Sequence, residues 1–213
     1  MRRWLLTLLF VLPATALGGN TAEVELVGFS DDGSLFAWYD FGIVDGAGFG
    51  YANLFVIDEK GASPNRKPAV AHDGSAAEGE PPSEAVVLAQ LKAKTAAVVK
   101  AKKLTDPGVE LYTSGTARST SFTVGNRPAK VTIKTKPWTD DESGFSGVEA
   151  SVVLTIQGKE RVLLPPTKVG ASINLSSVRL SKGGTSLAVI VKYDSVTGFE
   201  GADRRVLGLL AKL

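Results

Sequence analysis

The sequence predicts a β-rich α+β fold, in which antiparallel sheets are accompanied by one long α-helix. Short apolar segments bounded by Gly, Pro, Asp and Ser recur along most of the chain, and this spacing is typical of strands separated by turns. Apolar residues recur at helical spacing in a single segment, near residues 84–104. With 44% hydrophobic residues in 213 positions, the chain can form one sizeable core. We expect hairpins arranged like propeller blades or like the layers of a sandwich.

Three strands are predicted before the helix. They lie near residues 25–29, 35–41 and 54–57, and a glycine-rich loop occupies residues 42–50. The second strand is rich in aromatic residues, which favour strands. The third is a short continuous apolar run, as expected of a strand buried on both faces.

A proline-rich segment and the helix follow. Residues 59–83 are polar and contain several prolines, so we expect a flexible loop there. Ser83 follows two prolines and is a suitable N-cap for the helix near residues 84–104. The helix is predicted to stop at the Asp-Pro-Gly sequence of residues 106–108.

The remainder of the chain again alternates strands and turns. A strand is predicted at residues 131–135, and a hairpin at residues 152–164 that closes at Pro165 and Pro166. Residues 187–191 are the most apolar segment of this half, and residues 205–210 form a final predicted strand.

The first 18 residues have the features of a secretory signal peptide. Residues 1–3 are basic, residues 4–12 are apolar, and two small-x-small patterns leave the cleavage site open between residues 16 and 18. A membrane-spanning helix needs about 20 apolar residues, so this run is too short to span. We therefore expect export by a Sec-type route, and a periplasmic or secreted domain of residues 19–213 with no transmembrane segment.

Charge and cysteine content exclude several classes of function. The net charge of +2 comes from 24 Lys and Arg against 22 Asp and Glu, and both excess charges, Arg2 and Arg3, lie in the signal peptide. A neutral mature chain argues against nucleic acid as a partner. The absence of cysteine excludes disulfides and thiolate chemistry. His72, the single histidine, has no accompanying G-x-S-x-G motif and is interpreted as exposed and inert.

Two segments about 150 residues apart share one plan. The first has Ser30 and Gly33 in a turn before a strand, and the second has Ser181 and Gly184 in the same positions, at an offset of 151. A Gly-Phe pair and a further strand follow in both. One interpretation is two equivalent β-units with related long loops, and the alternative is chance agreement of turn residues.

The ends of the mature chain resemble a known family. The motifs are GFSDDG at residues 28–33, FGIVDGAGF at 41–49 and LFVID at 54–58, together with GFEGADRR at 198–205. They look like the bacterial predicted secreted proteins of domain-of-unknown-function family 2259. The resemblance implies an exported single-domain bacterial protein. It implies no activity and therefore no catalytic residue.

Two loops carry the candidate ligand- or partner-binding residues. The glycine-rich loop combines the carboxylates Asp40 and Asp45 with glycines and aromatic rings, and it either binds a ligand or calcium or forms an ordinary hairpin loop. The second loop contains two adjacent arginines. Either one of them binds an anion through its guanidinium group, or an internal salt bridge holds the loop in place. The candidates are Asp45, Gly46, Gly48, Phe49, Tyr51, Phe199, Glu200, Asp203, Arg204 and Arg205.

Three functions remain open at this point. We expect a non-catalytic module that binds a small ligand or a protein of the cell envelope, with no catalytic residues and no cofactor. The first alternative is a carboxylate-dependent hydrolase of envelope polysaccharide, using for example Asp45 and Glu200. The second is a calcium-stabilised structural protein, for which the acidic turn of Asp140, Asp141 and Glu142 is a weak candidate site.

Overall fold

Antiparallel strands make up most of the fold, and a helix covers one side of them. The computed structural model describes residues 21–44, 48–61, 66–74, 81–142, 144–195 and 203–213. The predicted signal peptide and the candidates Asp45, Gly46, Phe199 and Glu200 lie outside the described residues. The elements of the described part are, in order, β1 (Glu23–Ser30), β2 (Phe36–Ile43), β3 (Gly50–Ile57), β4 (Val70–Asp73), α1 (Glu84–Ala101), β5 (Leu104–Asp106), β6 (Val109–Thr113), β7 (Ser119–Val124), β8 (Arg127–Thr139), β9 (Ser146–Ile156), β10 (Lys159–Val169), β11 (Ile173–Leu180), β12 (Ser186–Asp194) and β13 (Arg204–Lys212).

The strands form three sheets. The N-terminal sheet has the order β4-β3-β2-β1-β5, the middle sheet β10-β9-β8-β7, and the C-terminal sheet β13-β12-β11-β6. The strand pairings within each sheet are antiparallel. The predicted β-rich α+β fold is therefore confirmed. No helix of the described residues is both long and apolar enough to cross a membrane.

The C-terminal sheet lies between the other two sheets. One face, with Val189 and Val191, shares a core with the middle sheet. The other face, with Ala188 and Ile190, packs against Phe36 and other residues of the N-terminal sheet. Because side chains alternate between the faces of a strand, β12 has to be apolar at successive positions. This explains the continuous apolar run that marked residues 187–191 in the sequence.

Helix α1 covers the far face of the N-terminal sheet. Val87 and Leu91 are fully buried, and they belong to one cluster with Ala37 and Leu54 of that sheet. The helix begins after Ser83, as predicted, but Ser83 makes no side-chain cap hydrogen bond. The two faces of the N-terminal sheet are thus occupied differently, one by a helix and the other by the C-terminal sheet.

The two segments related by an offset of 151 form equivalent turns. Ser30 N donates to Leu35 O at 3.1 Å, and Ser181 N donates to Ser186 O at 2.8 Å. Gly33 and Gly184 occupy the same place in each turn and have nearly equal positive φ angles of 65° and 68°. The strand pairs β1–β2 and β11–β12 flank these turns. The repeat seen in the sequence is therefore a structural repeat of a strand, a turn and a strand.

The two turn glycines provide a matched pair of substitutions. Alanine at either position would have to adopt a left-handed conformation, which destabilises the folded state by about 1–2 kcal/mol. At Gly33 the new Cβ also lies 2.8 Å from Ser186 Oγ, which donates to Gly33 O at 2.7 Å, whereas nothing lies within 4 Å of a Cβ at Gly184. We expect Gly33→Ala to lower the free energy of unfolding by about 1 kcal/mol more than Gly184→Ala in urea titrations. Equal losses would contradict the assigned role of Ser186.

Several predicted boundaries are wrong. The helix ends at Ala101 rather than near residue 104, because Lys103 adopts a positive φ of 50° and the chain then enters β5. The Asp-Pro-Gly sequence at residues 106–108 therefore links β5 to β6 and does not stop the helix. The segment 54–57 is buried on both faces at Leu54 and Ile57, which are 0% and 1% exposed, whereas Phe55 and Val56 are only half-buried.

Other corrections concern loops. The segment predicted as a loop at 59–83 contains β4, which pairs with β3. The glycine-rich loop is shorter than predicted and spans residues 44–49, because β2 extends to Ile43 and β3 begins at Gly50. The predicted hairpin does not close at Pro165 and Pro166. Strand β10 continues past them with a register shift between Leu164 and Thr167, which accommodates two residues that lack a backbone N–H.

Candidate functional site

A cleft of about 620 Å³ opens between the N-terminal sheet and β13. Trp38 and Asp40 of β2 face it, as do Tyr51, Asn53 and Phe55 of β3. These residues are at alternate positions on paired strands, so their side chains share one face of the sheet. That face is otherwise covered by the C-terminal sheet. Because β13 is the outermost strand there, the surface beyond β13 stays uncovered and forms the floor of the cleft.

The apolar part of the floor is a pair of stacked aromatic rings. The Trp38 and Phe55 ring centroids are 5.1 Å apart, and the ring planes differ by 9°. Trp38 is only 1% exposed, while Phe55 is half-buried. Gly208 of β13 lies against the other side of Trp38, where any Cβ would overlap the indole ring. Phe55 therefore offers an apolar contact surface to a ligand, and Trp38 holds that surface in place.

Asp40 is a buried carboxylate at the polar end of the cleft. It is 7% exposed, and burial raises its pKa to about 6, against the lowering effects of the Tyr51 hydroxyl and the Arg205 charge. Tyr51 Oη lies 3.3 Å from Asp40 Oδ1 and donates at 2.9 Å to Thr21 O. The Tyr51 hydroxyl has one proton, so it donates to only one of these two acceptors at a time. When it donates to Thr21 O, a protonated Asp40 is able to donate a hydrogen bond to Tyr51 Oη.

The surroundings of Asp40 hold two tyrosines and an arginine. Burial raises the pKa of Tyr51 above its usual value, and the Asp40 charge adds to the effect. Burial also raises the pKa of Tyr193, while Arg205 acts in the opposite direction. Both tyrosines therefore remain neutral hydrogen-bonding groups in this part of the cleft. Perturbed titratable groups that converge in one cleft are a physical mark of a functional site.

We expect stability to depend on pH through Asp40. Its folded-state pKa of about 6 exceeds the ordinary 3.8, so the folded state holds this proton more tightly than the unfolded state. The resulting stabilisation is complete below pH 3.8 and is lost as the pH rises through about 6. Relative to Asp40→Asn, the native protein should lose about 2 kcal/mol between pH 4 and pH 7. Urea titrations across this range measure the difference.

A control for this experiment is Asp141→Asn, which neutralises an exposed carboxylate in the β8–β9 turn. Its stability should follow that of the native protein across the range. If Asp40→Asn and the native protein change in parallel with pH, the Asp40 carboxyl does not hold its proton as described.

The two adjacent arginines make different ion pairs. Arg205 is 3.0 Å from Asp203, so the internal salt bridge considered for this loop is present. Arg204 is 60% exposed and its Nε is 3.9 Å from an Asp194 carboxylate oxygen. On the opposite side of the cleft, Arg66 donates to Val56 O at 2.9 Å. All three arginines line the cleft.

The described parts of both candidate loops meet at this cleft. Phe49 lines it from the first loop and Tyr51 from the adjoining start of β3, while Arg204 and Arg205 line it from the start of β13. Asp203 borders it through its ion pair with Arg205, and Gly48 lies in the first loop with a positive φ of 67°. The candidates did not include the floor residues Trp38, Asn53 and Phe55, or Arg66 and Tyr193. Alternation along β2 and β3 groups most of these residues on one face, but it does not reveal that this face is uncovered.

The acidic turn does not line the cleft, whereas His72 does. Asp140 Oδ1 accepts a hydrogen bond of 3.0 Å from Glu142 N, so this acidic segment stabilises the β8–β9 turn. Among the residues that the structure describes, no group of three or more His, Cys, Asp or Glu side chains is placed to hold a metal ion. His72 is half-buried rather than exposed, with Nε2 at 2.7 Å from Gln90 Oε1 and Nδ1 at 3.1 Å from Lys94 Nζ.

Comparisons with protein-family models, with curated proteins and with solved structures found no match to this chain. The function is therefore argued from the cleft itself.

Proposed function

We propose that this chain is an exported, non-catalytic binding module, and that the cleft beside β13 is its binding site. The observation that carries the proposal is the convergence of an aromatic floor with a few fixed polar groups in one concavity. A volume of about 620 Å³ is within the range of about 300–1,000 Å³ common for ligand sites. Phe55 supplies apolar contact, while Asp40, Asn53 and Tyr51 supply hydrogen bonds.

The fold supports this proposal because it holds these groups rigidly. Asp40 and Asn53 are directly paired across β2 and β3, and Tyr51 is fixed by its bond to Thr21 O. Trp38 is packed between Phe55 and Gly208. A site on paired strands needs little reorganisation when a ligand arrives, so less of the interaction energy is spent on ordering the protein.

A photo-crosslinking experiment tests the proposal. The full chain is produced in its native cells with p-benzoylphenylalanine at Asn53, on the cleft floor, or at Ser121, an exposed position on β7. After irradiation, adducts are identified by mass spectrometry. We expect adducts at position 53 that are absent at position 121, and that disappear when Phe55→Asp is added. No adduct at position 53, or the same adducts at both positions, contradicts the proposal.

The second candidate function is hydrolysis, and the Asp40 carboxyl favours it. A carboxylic acid with a pKa near 6 is a suitable general acid at neutral pH. Glycoside hydrolysis also needs a second carboxylate, and Asp73 lines the same cleft, whereas Asp203 is engaged in an ion pair with Arg205. Envelope polysaccharide incubated with the native protein and with Asp40→Asn separates the two functions. Release of sugar by the native protein alone would favour hydrolysis over simple binding.

A further inference from the structure

The outer edge of β13 points into the cleft. At the two ends of the β12–β13 ladder, Ser195 N donates to Asp203 O at 2.8 Å and Leu213 N donates to Thr185 O at 2.9 Å. The register between these bonds is unbroken, and bonded pairs alternate along an antiparallel ladder. Odd-numbered residues of β13 therefore bond to β12, and the backbone groups of even-numbered residues point outward. Arg161 Nη1 donates at 2.8 Å to the outward carbonyl of Lys212, in agreement with this assignment.

Three even-numbered residues of β13 line the cleft, namely Arg204, Val206 and Gly208. Among the described residues, no hydrogen-bond partner is present for the outward N–H and C=O groups of Val206 and Gly208. These groups repeat at every second residue, which is the spacing of a β-ladder. An open strand edge of this kind is a template for another strand.

The C-terminal sheet has room for a fifth strand beside β13. The N-terminal sheet has five strands and the C-terminal sheet has four. The two sheets are joined at one edge, where β5 passes into β6, and β2 lies against β12 across the shared core. Counting from the joined edge, β3 is opposite β13 and β4 has no counterpart. A strand added to β13 at the usual spacing of about 4.8 Å would lie over β4, about 10 Å above it.

The side chains around this place define the strand that fits. Side chains that point down from an added strand would meet Phe55, Asn53 and Ala71 on the N-terminal sheet, together with one acidic residue of β4, Asp73. Arg66 and Arg204 line the same cleft from different walls. Arg66 has no carboxylate within 4 Å in the described part of the chain, and Arg204 reaches its nearest one only at 3.9 Å. Apolar residues flanked by acidic residues therefore complement the cleft.

We propose that the cleft binds an extended peptide segment of a partner protein, which adds to β13 as a fifth strand of the C-terminal sheet. This inference rests on the proposed function and names its ligand class. The peptide pairs with residues 204–208, a length of about 17 Å at the usual rise of a strand. It places apolar side chains on Phe55 and acidic side chains toward Arg66 and Arg204. Main-chain bonds supply affinity, and alternate side chains supply specificity.

The first test selects a binding peptide and then measures which of its backbone N–H groups binding requires. A displayed library of random twelve-residue peptides is selected against the full chain, and the tightest peptide is synthesised with one N-methyl group at each position in turn. In a peptide paired with β13, only alternate residues have an N–H that points toward β13. N-methylation therefore removes a ladder hydrogen bond only at those residues. We expect at least tenfold weaker binding at alternate positions and less than twofold change between them. No enriched peptide, or no two-residue period, overturns the inference.

Arg204 allows the protein side of the ladder to be tested. Arg204→Pro removes the outward N–H and the guanidinium, whereas Arg204→Ala removes only the guanidinium. Proline is tolerated where an edge strand's N–H points outward, and melting temperatures check that both variants fold. We expect Arg204→Pro to bind the selected peptide about fivefold more weakly than Arg204→Ala, as for one lost hydrogen bond. Equal affinity of the two variants overturns the pairing.

Amide exchange in the native protein avoids substitutions altogether. The bound peptide should slow exchange of the Val206 and Gly208 amides, and protection confined to other strands would overturn the inference. Dimerisation of the protein through β13 would do the same. A failure of peptide pairing with β13 can be distinguished from a failure of the proposed binding function. Crosslinks from position 53 to a sugar or lipid would support binding in the cleft while contradicting a peptide ligand.

Discussion

Trp38→Ala is expected to lower the free energy of unfolding by about 3–5 kcal/mol, as for other fully buried aromatic residues. Trp38 is 1% exposed and stacks on Phe36 and Phe55, at centroid distances of 6.2 Å and 5.1 Å. It also fills the space over Gly208. Removing the indole leaves a cavity bordered by paired strands of two sheets, which cannot easily collapse. Since small domains are stable by only about 5–15 kcal/mol, urea titration should show a large shift.

Trp138→Ala is the matched control for this substitution. Trp138 is half-buried on β8, where its Nε1 donates to Val169 O at 3.3 Å and Lys168 Nζ lies 4.7 Å from the ring centroid. We expect a loss of only about 1–2 kcal/mol there. Similar losses for the two variants would show that Trp38 is not the packing centre between the N-terminal and C-terminal sheets.

Gly28→Ala, at the one glycine of β1, should lower the free energy of unfolding by about 2–6 kcal/mol from strain and overlap together. Gly28 has a φ of 126°, which side chains rarely adopt, and lies at a register shift between β1 and β2. An added Cβ would overlap the Asp106 carbonyl oxygen and lie 2.8 Å from its carbon. Backbone atoms cannot rotate away as a side chain can, so β5 would have to separate from β1.

The control is Gly125→Ala in the β7–β8 turn. Gly125 also has a positive φ, 58°, but nothing lies within 4 Å of the position of an added Cβ. It isolates the conformational strain, about 1–2 kcal/mol. If both variants have the same urea midpoint, the contact between β1 and β5 contributes nothing measurable, and the close approach at Asp106 is not a constraint on the fold.

The sequence predicted correctly those secondary-structure elements that are determined by residues within the element itself. The apolar run at residues 187–191 marked β12 because that strand is buried on both faces, and the two prolines before Ser83 marked the start of α1. The end of α1 and the existence of β4 depend on tertiary contacts. Leu104 is drawn into the core under α1, and β4 is held by its pairing with β3. Neither interaction leaves a pattern within its own segment.

The candidate site was predicted at its rim but not at its floor. Tyr51, Arg204 and Arg205 stand in motifs of glycine, aromatic and charged residues, so they could be selected from composition. Trp38 and Asn53 follow the alternation of an ordinary strand. Their place in the cleft results from the unequal number of strands in two stacked sheets. That inequality matters because the two sheets stack on each other, and packing between segments about 150 residues apart is not encoded locally.

The position of β6 has a consequence for the order of folding. This strand precedes the middle sheet in the chain, yet it pairs with β11, which follows that sheet. Phe29 and Phe36 are likewise covered by Ala188 and Ile190, far along the chain. Contacts of such long range form slowly, because a large loop must close first. During synthesis one apolar face of the N-terminal sheet therefore stays uncovered until β12 and β13 emerge, so the shared core can form only when most of the chain has been made.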